Sequence, residues 1–187
     1  MRKILDLSLR LFMVCALAAL ALGFVDALVK NRIEEQERKR KATAAERVLE
    51  PVGAVPEESP ELTEYLRDSF PDLIGVFRGV GEGGATAGYA FVLKSKGYNF
   101  ITMAVGVDLE GRVLGLDFIT NEETPGLGAK ALEDEGYLSQ FEGKGPERLT
   151  LKVDVDAYTS ATYTSKGVTN GVNMALDMWR EIERRGE

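Results

Sequence analysis

Apolar and polar positions change rhythm several times along the chain. From Leu11 to Val29, "LFMVCALAALALGFVDALV", nineteen residues carry one charge, Asp26. As a helix they rise about 28 Å, close to the hydrocarbon thickness of a bilayer. Lys30–Leu49 has mixed charges and strong helix formers, which predicts a helix continuing outward as a stalk until Pro51 breaks it. Glu61–Phe70 reads as a short helix. "GYAFVLKS" (88–95), "FITMAVGVD" (100–108) and "VLGLDFIT" (113–120) read as strands, and Gly111 between the last two predicts an antiparallel hairpin. Ala129–Phe141 reads as a helix with Leu132 and Leu138 facing the core, and "RLTLKVDVDAY" (148–158) returns to alternation. Val168, Val172, Ala175, Leu176, Trp179 and Ile182 form one apolar stripe at helical spacing. Ser165 is the candidate N-cap of that last helix, and Arg184 and Arg185 complement its C-terminal dipole. The pattern predicts an α+β fold: one N-terminal transmembrane helix, then a compact antiparallel-sheet domain with packed helices.

Composition narrows the chemistry. The 187 residues include no His and one Cys, Cys15. This excludes Ser-His triads, His-ligated zinc, an internal disulfide and a Cys-ligated iron–sulfur cluster. Redox chemistry must then come from an organic cofactor. Residues 1–41 hold nine Lys/Arg and five Asp/Glu, whereas residues 42–187 hold fourteen and twenty-five, so the larger part carries −11 and nucleic acid is not an expected partner. The apolar run is long for a cleavable signal peptide, and Val14 is too large for the residue preceding a lipoprotein cysteine. Three basic residues precede the span and six follow it before residue 42, so charge alone would leave the large domain in the cytoplasm.

Two short stretches carry candidate chemistry. In "DAYTSATYTSKGV" (156–168) every side chain from Tyr158 to Ser165 except Ala161 bears a hydroxyl. The stretch lies at a strand-to-helix junction, where the N–H groups and partial positive charge of a helix start suit a phosphate; on local pattern alone it also reads as plain capping. In "NEETPGLGAK" (121–130), Thr124-Pro125-Gly126-Leu127 fits a type II turn. Gly126 and Gly128 allow close backbone approach to a flat ligand, although a surface turn is the simpler reading.

The order "ETPGLGAK", "QFEGK", "VDAYTSATYTSKGV" resembles the FMN-binding domain family found in the G subunit of Rnf and the C subunit of Nqr respiratory complexes. The modest length looks more like the Rnf protein. The resemblance implies FMN bound covalently by a phosphoester to a threonine in Asp-x-x-Ser/Thr-Gly-Ala-Thr-x-Thr-Ser. Laid on this chain, Thr162 is the attachment point, Asp156 the acidic motif position read by a flavin transferase, and Thr159, Ala161 and Thr164 further motif positions. Ser160 stands where the family usually has Gly; if that position needs φ > 0, Ser costs roughly 1–2 kcal/mol there. Glu123, Thr124, Gly126, Leu127 and Gly128 are expected against the isoalloxazine ring, and Lys144 at the phosphate or a ring carbonyl, or simply solvated. No residue is expected to be catalytic and none to bind metal.

The implied division is a cytoplasmic N-terminus (1–10), a transmembrane helix (11–29), a stalk and linker (30–60) and an FMN-binding domain (61–187). The implied function is a membrane-anchored subunit of an Rnf-type ion-translocating ferredoxin:NAD oxidoreductase, relaying electrons without independent substrate turnover. Its implied partners are the other subunits, a flavin transferase and membrane lipid. The resemblance puts the domain on the extracytoplasmic face of the inner membrane, against the charge count. An Nqr-type subunit, a stand-alone extracytoplasmic flavoprotein, or a flavin-free assembly module are the alternatives.

Overall fold

The computed structural model describes residues 2–121 and 128–186. The chain divides into two compact units, residues 1–39 and 40–187. The first is the greater part of one helix, α1 (Arg2–Leu49). Within it Ser8–Asp26 is long and apolar enough to cross a membrane, and Leu17, Leu20 and Leu22 are exposed. A helix of that length and composition fits a single-pass anchor.

The second unit is built on a five-stranded antiparallel meander in the order β1 (Val55–Glu58), β2 (Leu73–Val80), β3 (Thr86–Lys96), β4 (Phe100–Asp108), β5 (Val113–Asn121). The expected hairpin joins β4 and β5: Gly111 takes φ 78°, and the Asp108 carboxylate accepts from Glu110 and Arg112 N–H. Such a turn needs a left-handed position, which glycine supplies without a Cβ clash. In register, Phe91 faces Val105 and Leu93 faces Met103. The period of two then sorts the side chains to two covered faces.

One face meets the long C-terminal helix, α5 (Thr162–Arg185). Phe91, Leu93, Met103 and Val105 are buried in one core with Val168, Val172, Ala175, Leu176 and Ile182, the predicted stripe. The alternate positions, Phe77, Ala90, Val92 and Ala104, form a second core with Ala44, Ala45, Val48 and Leu49 of α1. This face is floored by small residues because backbone meets backbone there. A Cβ built on Gly106 would stand 2.4 Å from the Val48 carbonyl oxygen.

Helix α1 ends at Leu49, as the pattern predicts, and Pro51 follows in a 3-10 turn. Helix α2 (Pro60–Arg67) likewise matches the short helix expected there. Three readings need correction. Ala129–Phe141 is not one helix but α3 (Gly128–Glu133), α4 (Glu135–Leu138) and a 3-10 turn (Ser139–Phe141). Asp134 breaks it, adopting extended backbone and accepting from Tyr137 N–H as the cap of α4. Residues 148–158 form no ladder strand. Leu149 is held by both hydrogen bonds of the Asn173 amide, Lys152 takes φ 69°, and Thr150 N–H closes a tight turn on Asp154. The alternation there reflects Leu149 and Val155 tucked into the core while Val153 is 79% exposed. Finally, β1 and β2 have no counterpart in the sequence pattern, and residues 40–60, expected as stalk and linker, lie in the second unit.

A chain beginning at Arg40 is expected to melt cooperatively. One beginning at Glu61 lacks β1 and the cover over Phe77, Ala90, Val92 and Ala104, and is expected to bind the hydrophobic dye ANS and lose cooperativity. Indistinguishable melting without dye binding would contradict this packing.

Candidate functional site

The hydroxyl-rich stretch begins in a loop and ends inside α5. Thr162 is the first residue of the helix rather than preceding it, and it is exposed. Ala161 occupies the cap position without a side-chain hydrogen bond, and the first turn contains no acidic residue. The positive end of the helix dipole is therefore not neutralised from within the helix.

Ser165 is not the N-cap; the helix starts three residues earlier. It is fully buried and serves as a clasp. Its hydroxyl accepts from Tyr158 N–H at 2.9 Å and donates to the Ala161 carbonyl at 3.0 Å. Ala161 N–H in turn donates to the Tyr158 carbonyl at 3.0 Å. Tyr158–Ala161 is thus a closed four-residue turn with Thr159 and Ser160 at its centre. Ser160 has φ 67° and Thr159 is not among the positive-φ residues, the signature of a type II turn. A type II turn requires positive φ at its third position, which favours glycine there and makes Ser strained.

Neighbouring elements hold the loop. Tyr137 packs edge-on against Tyr158 with ring centroids 5.6 Å apart. The Tyr137 hydroxyl is buried with no hydrogen-bond partner among the described residues. Burial pushes its ionisation above the ordinary tyrosine value, opposed by the neighbouring Ser165 hydroxyl. Gln140 reaches Asp156, whose side chain is exposed. Gly136, Tyr137, Gln140, Asp156, Tyr158 and Thr159 line an open depression of about 530 Å³ beside the turn.

Of the sequence-predicted residues, the structure brings together Asp156, Thr159, Ser160, Ala161, Thr162 and Thr164 around this turn. Thr159 and Ser160 are exposed, whereas Ala161 and Thr164 are buried. Gly128 is buried at the start of α3. Glu123, Thr124, Gly126 and Leu127 lie outside the described residues, in the link from β5 to α3. The structure does not bring Lys144 to the turn. Its backbone pairs with Val113, and adjacent Gly145 packs on Leu176, fourteen residues along α5 from Thr162 and so about 21 Å up the helix.

Sequence reasoning missed a further wall. Ser95 Oγ donates to the Gly167 carbonyl at 2.7 Å, and a Cβ on Gly167 would meet Gly97 at 2.7 Å, so the β3–β4 turn lies against the early turns of α5. Just beyond, Lys94 and Lys96 lie 4.2 and 5.8 Å from the Phe100 ring centroid, and Tyr98 is exposed. No local motif marks these residues; only the register, with Ile101 opposite Asn121, places them near the end of β5. Tyr163 is 70% exposed. Among the described residues no group of three Cys, Asp or Glu side chains is placed to hold a metal ion.

Comparison with known proteins adds an independent line. The model of the FMN-binding domain family matches residues 97–177, from the β3–β4 turn to the middle of α5. The G subunit of the Na+-translocating ferredoxin:NAD+ oxidoreductase complex of Acetobacterium woodii is 29% identical over 206 aligned positions, covering 98% of this chain and 95% of that one. The G subunit of the ion-translocating oxidoreductase complex of Stutzerimonas stutzeri is 30% identical over 181 positions, covering 91% and 78%. The G subunit of the proton-translocating ferredoxin:NAD+ oxidoreductase complex of Clostridium ljungdahlii is 38% identical over 103 positions, covering 51% and 55%.

Ser160→Gly is expected to stabilise the chain beginning at Arg40 by up to about 1 kcal/mol. It removes a left-handed penalty of about 1–2 kcal/mol, partly offset by the larger backbone entropy of unfolded glycine. Ser160→Val is expected to destabilise, since a β-branched residue tolerates that φ least. Urea unfolding checks both, and a less stable Ser160→Gly would contradict the turn geometry.

Proposed function

Since this chain belongs to the family of G subunits of ion-translocating oxidoreductase complexes, we propose that it relays electrons in an Rnf-type complex through FMN joined covalently by a phosphoester to Thr162. One observation carries the choice of residue. Thr162 is exposed at the first position of α5, whereas Thr164 and Ser165 are buried. A phosphate on Thr162 Oγ would sit at an uncapped, acid-free helix start, where backbone N–H groups and the dipole favour negative charge.

The chain has no His and one Cys, so bound FMN supplies the redox chemistry that its side chains lack. The protein's own part is to hold and surround. The Ser165 clasp fixes the turn, and in this reading Glu123, Thr124, Gly126, Leu127 and Gly128 are the residues that meet the flavin ring. Lys144 is left out of the phosphate site because its backbone pairs with Val113, far along the fold.

An unassisted threonine hydroxyl is a poor nucleophile. Attachment therefore belongs to a flavin transferase using FAD. The Thr162 Oγ–P bond forms as the pyrophosphate bond of FAD breaks, AMP leaves, and the hydroxyl proton passes to a base of the transferase. Asp156 is the motif acid presented to that enzyme. Near end-to-end correspondence with the Acetobacterium woodii protein favours this reading over an Nqr-type subunit or a stand-alone flavoprotein. A flavin-free module is disfavoured because Ser160 already holds the positive φ that the turn requires. In this reading Ser8–Asp26 spans the inner membrane and the domain lies on its extracytoplasmic face. The ions named for the relatives differ, Na+ in one and protons in another, so no coupling ion is assigned.

The full chain co-expressed with a flavin transferase is expected to give a band that fluoresces under ultraviolet light after denaturing electrophoresis, and Thr162→Ala to abolish it. A dark wild-type band beside an active transferase, or a bright Thr162→Ala band, would sink the proposal.

A further inference from the structure

Gln140 lies in the 3-10 turn after α4, sixteen residues before Asp156 in sequence. Its carboxamide nonetheless serves both main-chain groups of Asp156. Asp156 N–H donates to Oε1 at 2.6 Å, and Nε2 donates to the Asp156 carbonyl at 3.3 Å. Nε2 also donates to the Tyr137 carbonyl at 2.8 Å, so the clamp is anchored to α4. Only one amide orientation satisfies this set. Reversed, the NH2 group would oppose the Asp156 N–H, and Oε1 would oppose two carbonyls.

The clamp acts where the chain leaves the core and enters the turn. Val155 is buried just before it, and Tyr158 is tied to Ser165 just after it. Gln140 thus stands in for the strand neighbour that residues 148–158 lack. Because it takes the main chain of Asp156, the carboxylate stays exposed beside Thr159 at the rim of the depression. We infer that Gln140 is a positioning residue for the modification of Thr162: it holds the entrance of the hydroxyl turn so that the Asp156 carboxylate and the Thr162 hydroxyl are presented in one arrangement. This rests on the reading of Thr162 as the attachment point.

Both hydrogen bonds to Asp156 lie at an exposed position, so their loss is expected to change the population of the presented loop far more than the folding of the sheet. A partner that requires one loop arrangement sees its apparent affinity fall by the competent fraction, while turnover of the bound complex is unchanged. The test uses the full-length chain as acceptor, a flavin transferase and FAD. The initial rate of flavin incorporation is measured against acceptor concentration for wild type, Gln140→Glu and Gln140→Met, together with the melting temperature of each.

Each lost hydrogen bond corresponds to a factor of about two to ten. Gln140→Met removes both hydrogen bonds to Asp156 together with the anchor to the Tyr137 carbonyl, and its KM for acceptor is expected to rise about fivefold or more, with kcat and melting temperature close to wild type. Rates that stay proportional to acceptor over the whole accessible range count as that outcome. Gln140→Glu keeps the acceptor to Asp156 N–H, loses the donor, and is expected to fall between. A wild-type KM in Gln140→Met, a fall confined to kcat, or a loss that follows a lowered melting temperature overturns the inference. Failure to label the wild-type chain overturns instead the reading of Thr162.

Discussion

The architecture of the candidate site depends on one hydroxyl. Ser165 is buried in the first turns of α5, and its Oγ accepts from Tyr158 and donates to Ala161. Without it the two ends of the turn have only their own single hydrogen bond. With it, Thr159 and Ser160 are pushed to the surface, Ser160 is forced to positive φ, and Thr162 becomes the exposed first residue of the helix. A buried hydroxyl with both functions satisfied is far less costly than one left unpaired. The strain at Ser160 persists because this clasp over-determines the turn.

The clasp in turn needs a fixed helix. Helix α5 is held by its apolar stripe on one face of the meander, while the last turns of α1 cover the other face over a floor of glycine and alanine. A sheet covered on both faces is a firm base for a loop that must keep one shape. The same packing brings the β3–β4 turn against Gly167, so an aromatic and basic hairpin lies near the site although nothing in its local sequence announces it.

How much is legible in the sequence follows from which signals are local. The N-terminal apolar helix, the β3–β5 strands, the Gly111 turn and the stripe of α5 are periodic over many residues or marked by a single turn residue, and the structure agrees with each. Residues 148–158 mislead because alternation records burial, not pairing; Asn173 captures the backbone that a strand partner would have taken. Ser165 resembles a cap because a serine before an apolar stripe usually is one, but the helix extends three residues further back. The need for positive φ at position 160 is legible as a departure from a family pattern, and the turn supplies its physical reason. The clamp by Gln140 is not legible, since it joins residues sixteen apart through a side chain.

Seven hydroxyls in one stretch are thus made inequivalent by the fold. Tandem mass spectrometry of the peptide spanning Asp156–Lys166, taken from protein matured with a flavin transferase, tests this most directly. One added FMN, less one water, is predicted, with fragment ions placing it on Thr162 alone. The same mass placed on Thr159, Ser160, Thr164 or Ser165, or spread among them, would contradict it.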